Sequence, residues 1–226
     1  MSTIRNHFRC FTLTPGQRPQ TAPLRAEAYP GVRALWESAT LRRRDDPVFG
    51  VTGLVVHVAR HTGSEDAIAL IKAGRASWHW IVPAADEPQH SHFVWLTVPT
   101  ARAARHLPNT LAHPGFLAGR GQLNHCTLSV LVAAAPHQPR ATPWQTAATA
   151  QIIRHAWAQF PNLSQVVCRT ALDADATDPA SGLDWTKLRH QVTDQPPDDL
   201  PALVARATPI CLLDRPKLSE HRLRAQ

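Results

Sequence analysis

Three side chains of types that bind transition metals stand at or just after the ends of apolar runs in this sequence. His57 lies near the end of the run at residues 51–58. Cys168 ends a second run at residues 165–168, and Asp178 follows Cys168 after ten residues. Imidazole, thiolate and carboxylate are zinc ligands, and a catalytic zinc site combines three protein ligands with one open position for water. The pattern therefore permits a metal-dependent hydrolytic site, provided that the fold brings the three residues together.

Each of these residues also has a purely structural interpretation. A histidine at a strand end is commonly part of the core, and a cysteine in an apolar run is commonly a buried, inert thiol. Asp178 precedes a proline, where aspartate is a frequent turn former. The sequence contains no G-x-S-x-G elbow, P-loop, G-x-G-x-x-G fingerprint or H-E-x-x-H helix. Metal chemistry and a structural role both remain open at this point.

Apolar runs that alternate with amphipathic stretches predict an α/β class, with a mixed central β-sheet flanked by helices. The predicted strands are residues 51–58, 77–82, 92–98, 126–135 and 165–168. Three helices are predicted in this region, and they start at Ser64, Thr142 and Asp184, with Ser64 as the N-cap of the first. The second has the clearest start, because Thr142 is a good N-cap, Pro143 suits the first helical position and Gln145 completes a capping box.

The chain on either side of this alternating region has a different pattern. Residues 1–30 contain four prolines and little periodicity, which predicts an extended arm. Residues 31–43 have apolar side chains at the spacing of a short amphipathic helix. We therefore divide the chain into an N-terminal arm with a short helix at 1–47, a main domain at 48–192 and a C-terminal extension at 193–226. Neither outer segment carries a motif that identifies a partner.

The composition restricts the classes of partner. The formal net charge of +7 comes from 24 Lys and Arg against 17 Asp and Glu, which favours an anionic partner. The arginines are scattered apart from a short cluster at residues 42–44, so we do not expect nucleic-acid binding. No window of about 18 apolar residues occurs, so no membrane span is expected. Residues 1–11 lack the apolar segment of a signal peptide, so we expect cytoplasmic synthesis and leave the site of action open.

Six segments between residues 48 and 192 together show a family pattern. They are LVVHVARHTGS at 54–64, SWHWIV at 77–82, VWLTVPTARAARHL at 94–107, LNHCTLSVLV at 123–132, TPWQ at 142–145 and VVCRTALDADATDPASGLDW at 166–185. Their order and spacing resemble those of the type 2 N-acetylmuramoyl-L-alanine amidase and peptidoglycan recognition protein superfamily. The chain looks like a divergent member, and the resemblance implies an amidase-like fold.

The resemblance also implies a zinc ion bound by His57, Cys168 and Asp178. The second ligand in this superfamily is usually a histidine, so Cys168 is a departure. Thiolate is nevertheless a good zinc ligand, so the set of one histidine, one cysteine and one aspartate remains compatible with the metal.

Other departures affect the groups that assist hydrolysis in the superfamily. The glutamate that acts as general base corresponds to a position at or near Leu131, and the tyrosine that some members use instead corresponds to Trp78. The lysine before the ligand aspartate corresponds to Ala176. Leucine and tryptophan cannot accept a proton from bound water, and alanine cannot stabilise an oxyanion. Loss of one such group commonly lowers the rate about a hundredfold or more.

By the same resemblance, other residues face the cleft. His79, His106 and Asp175 are the candidates for the missing proton transfer in an active enzyme. Trp78 and Asn124 are the candidates for contact with a bound ligand. In isolation, the histidines are also compatible with structural roles, the tryptophan with a place in the core, and the asparagine with a cap on the central strand.

Three hypotheses about function follow. In the first, the chain is a degenerate zinc-amidase-like protein that recognises peptidoglycan, a muropeptide or a protein partner, with weak or no hydrolysis. In the second, it is an active zinc-dependent N-acetylmuramoyl-L-alanine amidase that cleaves cell wall. In the third, it is a structural component of a phage or secretion assembly, docked through its terminal segments. The missing catalytic groups favour the first.

Overall fold

The computed structural model describes residues 9–35, 40–42, 50–59, 62–138, 140–173 and 182–194. The strands within these ranges are β1 Cys10–Thr12, β2 Ala26–Ala28, β3 Thr40–Arg42, β4 Gly53–Val58, β5 Trp80–Val82, β6 Val94–Leu96, β7 Arg102–Ala104, β8 Thr127–Val132 and β9 Gln165–Cys168. The helices are α1 Ser64–Lys72, α2 Leu123–Cys126, α3 Pro143–Gln159, α4 Arg169–Leu172 and α5 Trp185–Thr193, with a 3₁₀ turn at Leu117–Gly119. None of these helices is long and apolar enough to cross a membrane.

Seven strands form one mixed sheet in the order β1-β9-β4-β8-β5-β6-β2, and β3 pairs with β7 in a second, two-stranded sheet. The four central strands β9, β4, β8 and β5 are parallel. Strands β4 and β8 are buried along their whole length, which explains their nearly continuous apolar sequence. The predicted α/β class with a mixed, helix-flanked sheet is confirmed.

Helices cover both faces of the large sheet. Helices α3 and α5 pack on the face that carries Leu54, Val56 and Val58 of β4. Helix α1, Trp78 and Trp95 pack on the opposite face. On that second face a Cβ at Gly53 would lie 2.6 Å from the Phe116 ring, so the close approach of this loop to β4 requires glycine. His57 lies on this second face, because successive side chains of a strand alternate between faces.

The N-terminal segment, which was predicted to be an extended arm, contributes two strands to the large sheet. Its two extended stretches become the edge strands β1, antiparallel to β9, and β2, parallel to β6. Side chains of α3 also donate to its backbone: Arg154 to the Gln20 carbonyl at 2.7 Å and Trp157 to the Thr14 carbonyl at 3.2 Å. Arg154 also donates to the Val192 carbonyl at 2.9 Å and thus links α3 to the end of α5. Burial lowers the pKa of Arg154, since a charged guanidinium loses hydration there.

Several boundaries differ from the sequence prediction. The helix predicted at residues 31–43 is wrong for the part that the structure describes. Residues 31–35 form turns, and Thr40–Arg42 is a strand that pairs with β7. Residues 36–39 and 43 lie outside the described residues. Helix α1 has Gly63 rather than Ser64 as its N-cap, and Glu87 accepts from the Ser64 amide at 2.7 Å. The strands at 77–82 and 92–98 shorten to three residues each, since their neighbours β8 and β2 pair with only those residues.

The start of α3 connects the helix to the ends of two strands. The capping box of Thr142 and Gln145 forms as predicted. Gln145 is fully buried, and its amide donates to the Pro83 carbonyl at 2.9 Å and the Ala133 carbonyl at 2.7 Å. Its oxygen accepts from the Thr142 backbone at 2.9 Å. One side chain therefore joins the ends of β5, β8 and α3.

We expect Gln145→Ala to lower the free energy of unfolding by about 2–4 kcal/mol, because it leaves two buried carbonyls and one amide without partners. Gln151→Ala on the same helix is the matched control, since its side chain makes a surface hydrogen bond to the Pro23 carbonyl. That variant should lose no more than about 1 kcal/mol. Urea denaturation followed by circular dichroism measures both values. Equal losses in the two variants would show that the buried network contributes little.

Candidate functional site

A pair of buried histidines forms the centre of the candidate site. His57 Nε2 lies 3.0 Å from His106 Nδ1, and the rings meet nearly at right angles with centroids 5.2 Å apart. The two side chains are 5% and 6% exposed, so the pair is withdrawn from bulk solvent. The residues are 49 positions apart in the chain, and β4 and the loop after β7 bring them together.

The hydrogen bonds around His106 determine which ring nitrogens carry protons. The single hydroxyl proton of Thr127 goes to the Leu123 carbonyl at 2.6 Å. His106 Nε2 lies 3.0 Å from the same hydroxyl oxygen, so Nε2 must be the donor in that contact. In a neutral His106 ring, Nδ1 then accepts, and His57 Nε2 donates to it.

Asn124 holds the backbone that carries His106. Its Oδ1 accepts from the His106 and Leu107 amides at 3.2 and 3.0 Å. Its Nδ2 donates to the Leu107 carbonyl at 2.8 Å and to Asn109 Oδ1 at 3.2 Å. An amide side chain has two donor and two acceptor positions, and here all four are used inside the protein. Asn124 is 2% exposed, so its contacts in this structure are with the loop.

Ser77 holds the same loop from the other side. Its Oγ accepts from the Arg105 amide at 2.9 Å, and its own amide donates to the Arg105 carbonyl at 3.0 Å. The backbone at residues 105–107 is therefore fixed by partners from two separate chain segments. This double attachment places the His106 ring against His57.

Cys168 is followed by Arg169, whose side chain contacts the loop that carries His106. Cys168 ends β9 in register with Val56, the residue before His57, and its sulfur lies 3.2 Å from Thr170 Oγ1. Arg169 donates to the His106 carbonyl at 3.4 Å and pairs with Asp173 at 2.6 Å. The start of α4 is thereby linked to the His106 loop.

Apolar side chains also surround His57. The Trp78 ring lies edge-on to His57 with centroids 6.1 Å apart. Leu131 is the β8 residue in register with His57 and is 4% exposed. Leu131 and Trp78 belong to the same buried cluster. The β8 position beside His57 is therefore occupied by a hydrocarbon side chain.

His79 belongs to a separate set of hydrogen bonds. The Ser129 amide donates to His79 Nδ1 at 3.0 Å, so this nitrogen is an acceptor. His79 Nε2 must then carry the proton and donates to the Arg102 carbonyl at 3.1 Å. The ring is completely buried and joins β8 to β7.

Two of the predicted site residues, Asp175 and Asp178, lie outside the described residues. Within the described ranges, no group of three His, Cys, Asp or Glu side chains could hold a metal ion. Sequence reasoning missed Thr127 and Ser77, which contact His106 and its loop. A usable signal for Thr127 was the polar alternation of Thr127 and Ser129 along an otherwise apolar strand.

The comparisons with known proteins rest on structure alone. No family profile and no curated protein matches the sequence. Among solved structures, a selenomethionine derivative of AmpD matches with a TM-score of 0.54 and 18% identity, over 78% of this chain and 98% of that chain. The N-acetylmuramoyl-L-alanine amidase endolysin LysCS from Clostridium intestinale matches with a TM-score of 0.52 and 11% identity, over 76% and 97%.

A third solved structure, a point mutant of PlyL, matches with a TM-score of 0.50 and 13% identity, over 77% of this chain and all of that chain (100%). At such identities the likeness concerns the fold. The mixed seven-stranded sheet with helices on both faces agrees with it. This chain has the fold of the N-acetylmuramoyl-L-alanine amidases and peptidoglycan recognition proteins, as the sequence resemblance implied.

Proposed function

We propose that this chain recognises peptidoglycan fragments through an amidase-like cleft, with weak or no hydrolysis. The observation that carries the proposal is the register of β4 and β8, which sets Leu131 beside His57. The resemblance assigns the general base to this position. A leucine side chain cannot remove a proton from water, and loss of a general base lowers rates by about a hundredfold or more.

The described residues do not form a complete ligand set for the zinc ion that the fold family implies. His57 Nε2 is engaged by His106, and the sulfur of Cys168 lies against a threonine hydroxyl. A complete set of three ligands would require Asp178, which lies outside the described residues. We propose binding at this site rather than metal-assisted cleavage.

Trp78 supports a role in binding. It contacts His57, it is 8% exposed, and its indole N–H has no acceptor among the described residues. A buried donor without a partner destabilises the protein by about 1–3 kcal/mol. We propose that a carbonyl oxygen of the muropeptide accepts from this N–H and removes that penalty. Solved neighbours of the fold are N-acetylmuramoyl-L-alanine amidases, whose name describes a bond between a muramic acid and an L-alanine.

We expect N-acetylmuramoyl-L-alanyl-D-isoglutamine to bind saturably in isothermal titration calorimetry, whereas a chitin oligosaccharide without peptide should not bind. His57→Ala should weaken binding about tenfold, which corresponds to about 1.4 kcal/mol, through loss of the ring and of its contact with Trp78.

The matched control for this experiment is His155→Ala, because His155 lies on α3, which packs on the other face of the sheet. Its side chain makes a surface hydrogen bond to Gln159 on the same helix. Binding that is equally weakened in both variants, or absent from the wild type, would refute muropeptide recognition at this site.

A second prediction concerns metal and catalysis. After reconstitution with zinc under reducing conditions, we expect the purified protein to contain far less than about one zinc ion per chain. The zinc content of wild type and of His57→Ala should not differ. Inductively coupled plasma mass spectrometry measures the metal. Liquid chromatography with mass spectrometry should detect no release of peptide from muropeptides. About one zinc per chain that disappears in His57→Ala, together with peptide release, would instead favour an active zinc amidase.

A further inference from the structure

A short series of hydrogen bonds leads from helix α2 to the histidine pair. The Leu123 carbonyl accepts from Thr127, the Thr127 oxygen lies 3.0 Å from His106 Nε2, and His106 Nδ1 lies 3.0 Å from His57 Nε2. We propose that Thr127 is a positioning residue that sets the tautomer and orientation of His106 and, through it, of His57. This inference rests on the proposed function in one respect, that the pair belongs to the ligand-binding site.

The direction of each hydrogen bond follows from the first one. The hydroxyl of Thr127 has one proton, and the 2.6 Å contact with the Leu123 carbonyl uses it, since a carbonyl can only accept. Toward His106 the hydroxyl oxygen is therefore an acceptor. This selects the tautomer of His106 with the proton on Nε2 and presents the Nδ1 lone pair to His57.

Burial makes this selection effective. Thr127 is completely buried, and His106 is 6% exposed, so bulk water does not compete for the ring nitrogens. A polar group that loses its partner in such surroundings is destabilised more than one at the surface. The alternative tautomer of His106 would set its bare Nε2 against the Thr127 oxygen, with no proton between them.

The rotation of the Thr127 side chain is itself restricted. The hydrogen bond to the carbonyl four residues earlier fixes the hydroxyl of this β-branched side chain, and its methyl group lies next to Gly53 of β4. Asn124, in the same α2 turn, fixes the backbone of His106 and Leu107. The segment 123–127, which comprises α2 and the first residue of β8, thus orients His106 by its ring and by its backbone at once.

The test compares Thr127→Val with Thr127→Ser. Valine keeps the shape of threonine and removes the oxygen, whereas serine keeps the oxygen and removes only a methyl group. The readout is the tautomer of His106, from long-range ¹⁵N–¹H correlation spectra of protein with ¹⁵N-labelled histidine, with His106→Gln used for assignment. We expect the Nε2–H pattern in wild type and Thr127→Ser, and a mixture of tautomers in Thr127→Val.

Binding of N-acetylmuramoyl-L-alanyl-D-isoglutamine provides the second readout. We expect Thr127→Val to weaken it about fivefold, as for one lost hydrogen bond, and Thr127→Ser to remain within about twofold of wild type. A merely structural role would lower the unfolding temperature of both variants without changing the tautomer.

Wild-type spectra alone already test the inference, so a Thr127→Val variant that does not fold leaves it falsifiable. A His106 proton on Nδ1 in wild type would overturn it, as would an unchanged tautomer in folded Thr127→Val. If wild type shows the expected tautomer but binds no muropeptide, the proposed function fails and the role of Thr127 stands. If muropeptide binds and the tautomer does not change in Thr127→Val, the proposed function stands and the proposed role of Thr127 fails.

Discussion

The contact between the His57 and His106 rings organises this site because both are buried on a sheet face that is otherwise mostly apolar. A polar group in such a place requires a hydrogen-bonding partner, and each partner requires its own. This requirement explains why the hydroxyl of Thr127 and the side-chain amide of Asn124 form hydrogen bonds with His106. It also explains why a loop without regular secondary structure follows one defined path.

Apolar side chains line the region beside His57. Leu131 stands in register with His57, and Trp78 packs against its ring, at the positions where the resemblance assigns proton-transfer groups. A hydrocarbon lining lowers the local polarity, which disfavours charge development in a reaction but strengthens hydrogen bonds to a bound ligand. This apolar lining is the basis on which we propose recognition rather than efficient hydrolysis.

The sheet and its outer layer are held together by a few side chains that reach backbone groups far away in the chain. Gln145 joins the ends of β5 and β8 to α3, and Arg154 joins α3 to the N-terminal segment and to α5. These are buried polar contacts to carbonyls, so each has a defined geometry. They keep α3 in place on the sheet face opposite to His57.

The sequence by itself determined the elements whose signals are local. The capping box of α3, the N-cap Asp184 of α5 and the buried parallel strands β4, β8 and β9 were predictable, since caps and apolar runs depend on near neighbours. The short strands at Thr40–Arg42 and Ala26–Ala28 were not, because three residues become a strand only when a distant partner is present. The tertiary structure alone brings His106 into contact with His57 and places Thr127 and Asn124 next to His106. These contacts join residues 17 to 49 positions apart and depend on sheet register.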